Sequence, residues 1–183
     1  MTRFCTLCGE ATALSTPDGD NRPRLVCTTC KHIHYENPRL IVGCVAEWDG
    51  RILLCRRAIE PRCGFWTLPA GFMENAETTE QAAWRETYEE AGADVRLDAP
   101  FAMFSIAHIN QVHLFYRGHL RNDHYLAGTE SLEVRLFEAE EIPWADLSFA
   151  SVAQCLQLYL QDRQNACFQF HDRQQQHLLH EAS

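Results

Sequence analysis

Long hydrophobic runs are missing from this sequence of 183 residues. The longest apolar run covers residues 40–46, which is far too short to cross a bilayer. Residues 1–5 also lack the apolar core of a signal peptide. We therefore expect no membrane association, and we predict a cytoplasmic protein.

Positive charge is also scarce. The chain has 16 lysines and arginines against 25 aspartates and glutamates, which gives a net charge of −9. A nucleic-acid surface needs a basic stripe, so this composition argues against nucleic acid as a partner. The negative charge is uneven, because residues 71–94 carry seven acids and only one base, Arg85. This local excess predicts that something cationic binds there.

Cysteine, by contrast, is abundant, with nine residues, and two Cys-x-x-Cys pairs contain Cys5, Cys8, Cys27 and Cys30. In a reducing compartment this spacing favours a four-thiolate zinc ribbon over disulfides. Unliganded thiols or a redox pair would require two matched pairs by coincidence. A closed four-thiolate site leaves no position for substrate, so we predict a structural zinc that stabilises a segment too small to build its own core.

The composition changes near residue 37, and no internal repeat is present. We predict three parts: a zinc ribbon over residues 1–37, a main domain over 38–163 and a C-terminal tail over 164–183. For the tail, a frayed helix, an oligomer contact and disorder all stay open. Hydrophobic patterning and turn residues predict strands over residues 39–48, 51–58, 65–68, 101–109, 112–120 and 133–137. They also predict a helix between Thr78 and Gly92 and a second over residues 151–162.

The first predicted helix carries Glu86, Glu89 and Glu90 at i, i+3 and i+4. Like charges at this spacing repel, and acids near a helix C-terminus oppose the macrodipole. Such a cluster is stabilised when a cation neutralises it, and oxygen ligands favour Mg²⁺ or Mn²⁺ over zinc. Arg85 lies four residues before Glu89 and can pair with it. The alternative is a solvated helix face, but the acids have too few basic partners. Before the helix, residues 69–71 bring backbone carbonyls close to the helix, and Gly71 is free to adopt the positive φ that other residues avoid.

Residues 71–93 read Gly71-x5-Glu77-x7-Arg85-Glu86-Thr87-Tyr88-Glu89-Glu90-Ala91-Gly92-Ala93. This stretch resembles the Nudix box, the signature of the Nudix hydrolases, and it matches all Gly, Glu and Arg positions of the box. Thr87 and Ala93 stand where the family has large aliphatic residues. Both are packing positions rather than chemical ones. The resemblance implies an α/β fold, an α/β/α sandwich with a mixed sheet, which here carries a small N-terminal zinc ribbon.

The resemblance also implies roles for individual residues. The Glu86, Glu89 and Glu90 positions supply metal carboxylates or a base, and the Ala70 position offers a backbone carbonyl to the metal. Glu77 supports the loop and Arg85 through hydrogen bonds. The base is either a box glutamate or a residue on a later loop, for which the candidates are Glu130 and Glu133. Arg57 resembles a phosphate-binding position, although a surface arginine is an equal alternative.

A zinc ribbon before a Nudix domain resembles the NADH pyrophosphatase group, but the Ser-Gln-Pro-Trp-Pro-type motif of that group is missing. A closer similarity is to the ribbon-containing ADP-ribose/FAD pyrophosphatases, whose outer blocks match here at residues 35–38, 42–44, 53–57, 66–71 and 130–133. Aromatic residues expected near the site include Phe65 and Trp66, our candidates for substrate contacts, and also Tyr35 and Phe104. At least two of these four are expected to be core residues.

We therefore expect hydrolysis of nucleoside diphosphate derivatives, with ADP-ribose or FAD preferred and AMP released. The residues that would carry it are Arg85, Glu86, Glu89, Glu90 and Glu130. An NADH pyrophosphatase, a house-cleaning nucleoside triphosphatase and a non-catalytic nucleotide sensor are the alternatives. A sensor would usually have lost box glutamates, and an RNA-end hydrolase would need a basic surface. Similar enzymes are commonly dimers, so a homodimer is among the expected assemblies.

Overall fold

The computed structural model describes residues 4–175. The chain divides into two compact units, Met1–Pro38 and Arg39–Ser183. The first unit has an antiparallel sheet of three short strands in the order β1 (Thr12–Ser15), β2 (Arg24–Cys27) and β3 (Ile33–His34). Its strands are too short for the sheet to build a core of its own, as expected for a segment that depends on metal.

The second unit contains two helices, α1 (Thr79–Ala91) and α2 (Ala150–Gln164). Its strands are β4 (Arg39–Trp48), β5 (Arg51–Arg57), β6 (Trp66–Thr67), β7 (Ala70–Phe72), β8 (Val95–Ile106), β9 (Gln111–Leu120), β10 (Ser131–Phe137) and β11 (His171–Gln174). Short 3₁₀ turns lie at Ala107–Ile109, Ala139–Glu141 and Trp144–Asp146.

All strands of the second unit belong to one sheet, with the order β10-β5-β4-β9-β8-β11. The short strand β6 pairs with β5, and β7 pairs with β4. The pairs β4–β9 and β8–β11 are parallel, whereas the other pairs are antiparallel. The prediction of a mixed sheet is therefore confirmed.

The two helices cover opposite faces of this sheet. Because side chains alternate along a strand, β4 sends Val42 and Cys44 to one face and Val45 to the other. Val42 and Cys44 belong to core clusters that contain alanines of α1. Val45 belongs to the cluster that contains residues of α2, among them Leu156. The predicted α/β/α sandwich is confirmed.

The hairpin between β4 and β5 follows the sequence prediction. Asp49 and Gly50 both have positive φ, at 49° and 79°, as a two-residue type I′ turn requires. The predicted first helix is also confirmed, with Thr78 as N-cap and Gly92, at φ 59°, as C-cap. The second helix is slightly longer than predicted.

Strand β8 differs from its prediction, because it begins at Val95 and ends at Ile106 rather than covering residues 101–109. Its pairing with β9 shifts register on both sides of Pro100. A bulge breaks the alternation of inward and outward side chains, so the first half of the strand shows no regular alternation of apolar and polar residues in the sequence. The end of the predicted range forms the 3₁₀ turn Ala107–Ile109 instead.

The tail also contains structure that its composition did not predict. Strand β11 pairs in parallel with β8 and forms the edge of the sheet. Buried His171 places Nε2 2.9 Å from Oδ2 of buried Asp162, near the end of α2. The same Asp162 oxygen accepts a hydrogen bond from the backbone N–H of Gln169 at 3.0 Å. These long-range contacts, rather than local periodicity, fix the strand. Residues 176–183 of the predicted tail lie outside the described residues.

Within residues 4–175, neither helix has the length and apolar character needed to cross a membrane.

Candidate active site

Hydrogen-bonded caps define both ends of α1, the helix that carries the acidic residues. The N–H of Gln81 donates to Oγ1 of Thr78 at 3.2 Å, and Gln81 Oε1 accepts from the N–H of Thr78 at 2.7 Å. At the other end, the N–H of Gly92 donates to the carbonyl of Tyr88 at 2.8 Å. This capping box and αL cap set the ends of the helix, and the buried Ala82, Ala83 and Ala91 determine which of its faces meets the sheet.

Arg85 organises the acidic residues. Its Nε and Nη2 donate to the two carboxylate oxygens of Glu77 at 3.0 and 2.7 Å. Its Nη1 donates to Glu86 at 2.6 Å and to Glu89 at 3.0 Å, and Nη2 also donates to the carbonyl of Phe72 at 3.1 Å. One guanidinium therefore holds three carboxylates and the strand before the helix. The predicted Arg85–Glu89 pair is present in this network.

Two of the helix carboxylates are buried against β7. Glu90 accepts a hydrogen bond from the N–H of Ala70 at 3.1 Å, and Glu86 lies against the backbone of Gly71. Gly71 does not use the conformational freedom that the sequence offered, because it is not among the glycines with positive φ. A side chain at residue 71 would displace the Glu86 carboxylate, because a Cβ would stand 2.2 Å from its Oε2. Glycine therefore allows the carboxylate to approach the strand closely, and it does not serve a special turn.

The burial of these carboxylates changes their protonation. Burial raises the pKa of Glu90 to about 8, although the Ala70 N–H and the charge of Arg57 oppose the shift. Burial also raises the pKa of Glu86, against the effect of Arg85. By contrast, the hydrogen bond from Arg85 lowers the pKa of Glu77 to about 2. Glu77 therefore stays ionised at neutral pH and anchors Arg85. The raised pKa values of Glu86 and Glu90 show that nearby positive groups do not fully compensate their negative charge.

A loop from β9 to β10 packs on the last turn of α1. The N–H of Leu126 donates to the carbonyl of Ala91 at 2.7 Å, and the N–H of Gly128 donates to the carbonyl of Glu90 at 3.0 Å. A Cβ on Gly128 would stand 1.8 Å from the carbonyl oxygen of Glu89, so only glycine fits. This loop leads directly to Glu130, whose charge contributes to the raised pKa values of Glu86 and Glu90.

Arg57 lies next to Glu130 at the end of β5. Ser131 pairs with Arg57, and the N–H of Ala58 donates to the carbonyl of Glu130 at 2.8 Å. Glu133 lies farther along β10, where it faces Arg56 at 3.8 Å with both side chains about half exposed. Of the two predicted loop glutamates, Glu130 is the one whose charge acts on the buried carboxylates of α1.

The predicted aromatic residues have different positions. Trp66 packs edge-on against Phe137, with 4.9 Å between ring centroids, and it lines the core. Phe104 is fully buried, so it is a core residue. Phe65 is partly exposed, and the guanidinium of Arg62 stands 5.3 Å from its ring centroid. Tyr35 lies in the first unit, with Arg24 stacked on it at 5.2 Å.

Sequence reasoning missed two residues that contact the helix α1 or Arg57. Gly128 has no signal in the sequence, because its requirement comes from a contact with the Glu89 carbonyl of α1, 39 residues earlier in the chain. Phe149 precedes α2, and the Cζ atom of Arg57 lies 5.2 Å from its ring centroid. The pairing of strands and loops brings both residues to the site, so neither could be found from local patterning.

The acids offer ligands suited to a hard divalent cation. Glu86, Glu89 and Glu90 provide carboxylate oxygens only, and two of the three are buried with incomplete charge compensation. The side chain of Glu89 is 58% exposed, so it is the one that meets solvent. The donor set therefore fits Mg²⁺ or Mn²⁺ better than zinc.

The four paired cysteines converge in the first unit. Among residues 4–175, they form the only group of three or more possible metal ligands whose donor atoms all lie within 4.8 Å of one another. Sulfur–sulfur distances are 3.7 Å for Cys5–Cys30, 3.5 Å for Cys8–Cys27 and 3.4 Å for Cys8–Cys30. A tetrahedron with Zn–S bonds of about 2.3 Å has edges of about 3.8 Å. The cluster therefore fits a structural zinc.

Two family models match the chain. The model described as the NUDIX domain covers residues 37–157, and the Nudix N-terminal zinc-ribbon model covers residues 3–36. The fold is similar to the crystal structure of a Nudix hydrolase from Nitrosomonas europaea, with a TM-score of 0.92 and 46% identity. That similarity covers 95% of this chain and 99% of the other.

Curated relatives have two different activities in their names. The NAD-capped RNA hydrolase NudC of Vibrio atlanticus is 37% identical over 95 residues, which is 51% of this chain and 33% of the relative. The ADP-ribose pyrophosphatase of Methanocaldococcus jannaschii is 29% identical over 122 residues, which is 62% of this chain and 69% of the relative. The matched part therefore spans about a third of the length of the NudC relative.

Proposed function

The chain belongs to the Nudix family, and we propose that it hydrolyses the phosphoanhydride bond of nucleoside diphosphate derivatives. ADP-ribose and FAD are the proposed substrates. Water adds to one phosphorus and the bridging oxygen leaves with the other phosphate. ADP-ribose then gives AMP and ribose 5-phosphate, and FAD gives AMP and FMN.

The observation that carries this proposal is the clustering of three carboxylates at one end of α1: Glu86 and Glu89 are paired with Arg85, and Glu90 accepts a hydrogen bond from the N–H of Ala70. Both the carboxylates and a diphosphate are anionic, so the two repel unless cations lie between them. The donor atoms suit Mg²⁺ or Mn²⁺ ions, which would be shared among these three carboxylates and the carbonyl of Ala70. Bound there, the ions would polarise the phosphoryl oxygens and orient the attacking water.

The protein residues supply position and proton transfer. Arg85 holds Glu86 and Glu89 in place through Nη1 and is itself fixed by Glu77. Arg57 binds the substrate diphosphate as a cation beside the carboxylates. Glu130 accepts the proton of the attacking water, and the loop through Gly128 fixes its place relative to α1.

The test is a hydrolysis screen of the purified chain with Mg²⁺ or Mn²⁺ over ADP-ribose, FAD, NADH, diadenosine polyphosphates and a nucleoside triphosphate. AMP release from ADP-ribose or FAD at the highest kcat/KM supports the proposal. Pyrophosphate with a nucleoside monophosphate would identify a triphosphatase. Hydrolysis of none of them would contradict the enzyme proposal and favour a nucleotide sensor.

A second candidate is hydrolysis of NADH or of the NAD cap of RNA. It is favoured by the similarity to proteins named NAD-capped RNA hydrolase NudC and by the zinc ribbon. The missing Ser-Gln-Pro-Trp-Pro-type motif and the net charge of −9 favour a small nucleotide instead. Comparing kcat/KM for NADH, an NAD-capped RNA and ADP-ribose distinguishes the two.

A further inference from the structure

The guanidinium of Arg57 is held on two sides. Its Nε donates to the carbonyl of Pro61 at 2.9 Å, and its Cζ lies 5.2 Å from the ring centroid of Phe149. Within residues 4–175, no protein group accepts a hydrogen bond from Nη1 or Nη2 of Arg57. Both Nη atoms, which together carry four of the five N–H donors, are therefore free, while a carbonyl and an aromatic ring restrict the plane of the guanidinium.

Arg57 lies at the end of β5, next to the segment that carries the proposed base Glu130. Arg57 pairs with Ser131, the residue after Glu130, and the next residue, Ala58, donates to the Glu130 carbonyl. Gly128, two residues before Glu130, donates its N–H to the carbonyl of Glu90 at 3.0 Å, so the same loop contacts both the end of β5 and the last turn of α1. An anion bound by Arg57 would consequently lie near the carboxylates of α1.

Backbone hydrogen bonds before and after Phe149 hold this residue in place. On one side, the N–H of Ser148 donates to the carbonyl of Trp66 at 2.8 Å. On the other, the carbonyl of Phe149 accepts from the N–H groups of Val152 and Ala153, both at 3.1 Å, at the start of α2. The ring of Phe149 packs against the core cluster that contains Val45 and Leu156. It therefore offers Arg57 a rigid surface.

We propose that Phe149 is a positioning residue for substrate binding: its ring holds the Arg57 guanidinium so that Nη1 and Nη2 bind oxygens of the substrate diphosphate. This inference rests on the proposed function. It also gives Trp66 a different role from a direct substrate contact. Trp66 packs on Phe137, and its carbonyl fixes the segment that carries Phe149.

The physical reason is preorganisation. A free arginine side chain loses rotamer entropy when it binds an anion, and a stacked guanidinium has lost most of that freedom already. The planar fork matches two phosphate oxygens only when its plane is correctly oriented. Removing the ring should therefore weaken substrate binding without changing the chemical step.

The experiment measures kcat and KM for ADP-ribose with Mg²⁺ in Phe149→Leu and Phe149→Tyr, each in the wild-type and Arg57→Ala backgrounds. Leucine keeps apolar bulk but removes the aromatic face, whereas tyrosine keeps the face. We expect Phe149→Leu to raise KM about five-fold, the size of a cation–π contact, with kcat within about two-fold. Phe149→Tyr should stay close to wild type. In the Arg57→Ala background, Phe149→Leu should cause no further rise in KM.

Phe168→Leu is the matched control. The Cζ atom of Arg117 lies 3.8 Å from the ring centroid of Phe168, so the same change removes the same kind of contact near β11. This control should leave KM unchanged. An unchanged KM in Phe149→Leu, or an equal rise in the Arg57→Ala background, would overturn the role of Phe149. A wild-type chain that hydrolyses neither ADP-ribose nor FAD overturns the proposed function itself.

Discussion

The carboxylate of Glu86 lies directly against Gly71, so closely that a Cβ on Gly71 would overlap all three atoms of the carboxylate group, at 2.2 to 2.5 Å. This contact joins β7 to α1 at the candidate metal site. Glu86 is held there by Nη1 of Arg85 at 2.6 Å. The position of the carboxylate therefore depends on the absence of a side chain at residue 71.

Gly71→Ala should move Glu86 away from its place and reduce activity. The displacement is on the order of 1 Å, and a misplacement of this size costs about 100-fold in kcat/KM. The backbone of Gly71 has no positive φ, so strain in the strand is not the cause. The measurement is kcat/KM for ADP-ribose together with the melting temperature.

Gly50→Ala is the control for the loss of a glycine. Gly50 has φ 79° and nothing within 4 Å of an added Cβ, so this variant introduces backbone strain without a collision. It should cost about 1 kcal/mol of stability and leave kcat/KM unchanged. If Gly71→Ala retained full activity, the close contact would have no role in positioning Glu86.

Glu77→Gln should reduce activity through Arg85. The neutral amide offers only one oxygen, so it cannot accept both hydrogen bonds that Arg85 now gives to the two carboxylate oxygens. Arg85 then orients Glu86 and Glu89 less well. A loss of about 10-fold in kcat is expected, as for residues that orient metal ligands. Steady-state kinetics against Mg²⁺ concentration measure the effect, and exposed Glu74→Gln serves as the control. Equal kinetics for both variants would contradict this role of Glu77.

Local features of the chain could be predicted from sequence, because each needs only a few neighbouring residues. The cap residue Thr78, the Asp49-Gly50 turn and the spacing of the glutamates are of this kind. By contrast, strand β11 depends on the Asp162–His171 contact and on pairing with β8. Gly128 and Phe149 depend on contacts between segments far apart in sequence. These parts of the fold and of the site follow from tertiary packing, which produces no periodic pattern of residues that could be recognised in the sequence.

Stability should decrease below pH 6.5 because of His113. The residue is 7% exposed, with Nδ1 3.0 Å from Oγ of Ser151 and Nε2 3.0 Å from Oε1 of Gln111. Burial lowers the pKa of His113 to about 4. The unfolded chain, with the ordinary pKa of about 6.5, therefore binds more protons between pH 6.5 and 4.

The folded state is consequently favoured above pH 6.5, and this advantage is lost as the pH falls towards 4. The slope from this one group approaches about 1.4 kcal/mol per pH unit. Urea unfolding at several pH values measures it, with His113→Gln as the comparison. The variant should lose less stability than the wild type over this range. Parallel curves for the two proteins would show that His113 does not titrate as its burial requires.

The four-cysteine cluster should bind about one zinc ion per chain. Cys27→Ser removes one thiolate of a closed site, so metal content should fall strongly and the ribbon should lose its fold. Elemental analysis and circular dichroism of the purified protein measure both effects. Cys167→Ser, an exposed cysteine outside the cluster, is the control and should keep the zinc. Full zinc content in Cys27→Ser would rule out a four-thiolate site.

The central claim is that the carboxylates of α1 hold the divalent cations that bind the substrate diphosphate. The most direct measurement is Mn²⁺ affinity by electron paramagnetic resonance, with Mg²⁺-dependent turnover of ADP-ribose, in Glu89→Gln/Glu90→Gln. Glu80→Gln, an exposed acid on the same helix, is the control. We predict at least about 10-fold weaker Mn²⁺ binding and a loss of turnover of about 100-fold or more in the double variant only. Unchanged ion affinity and unchanged turnover in that variant would contradict the account.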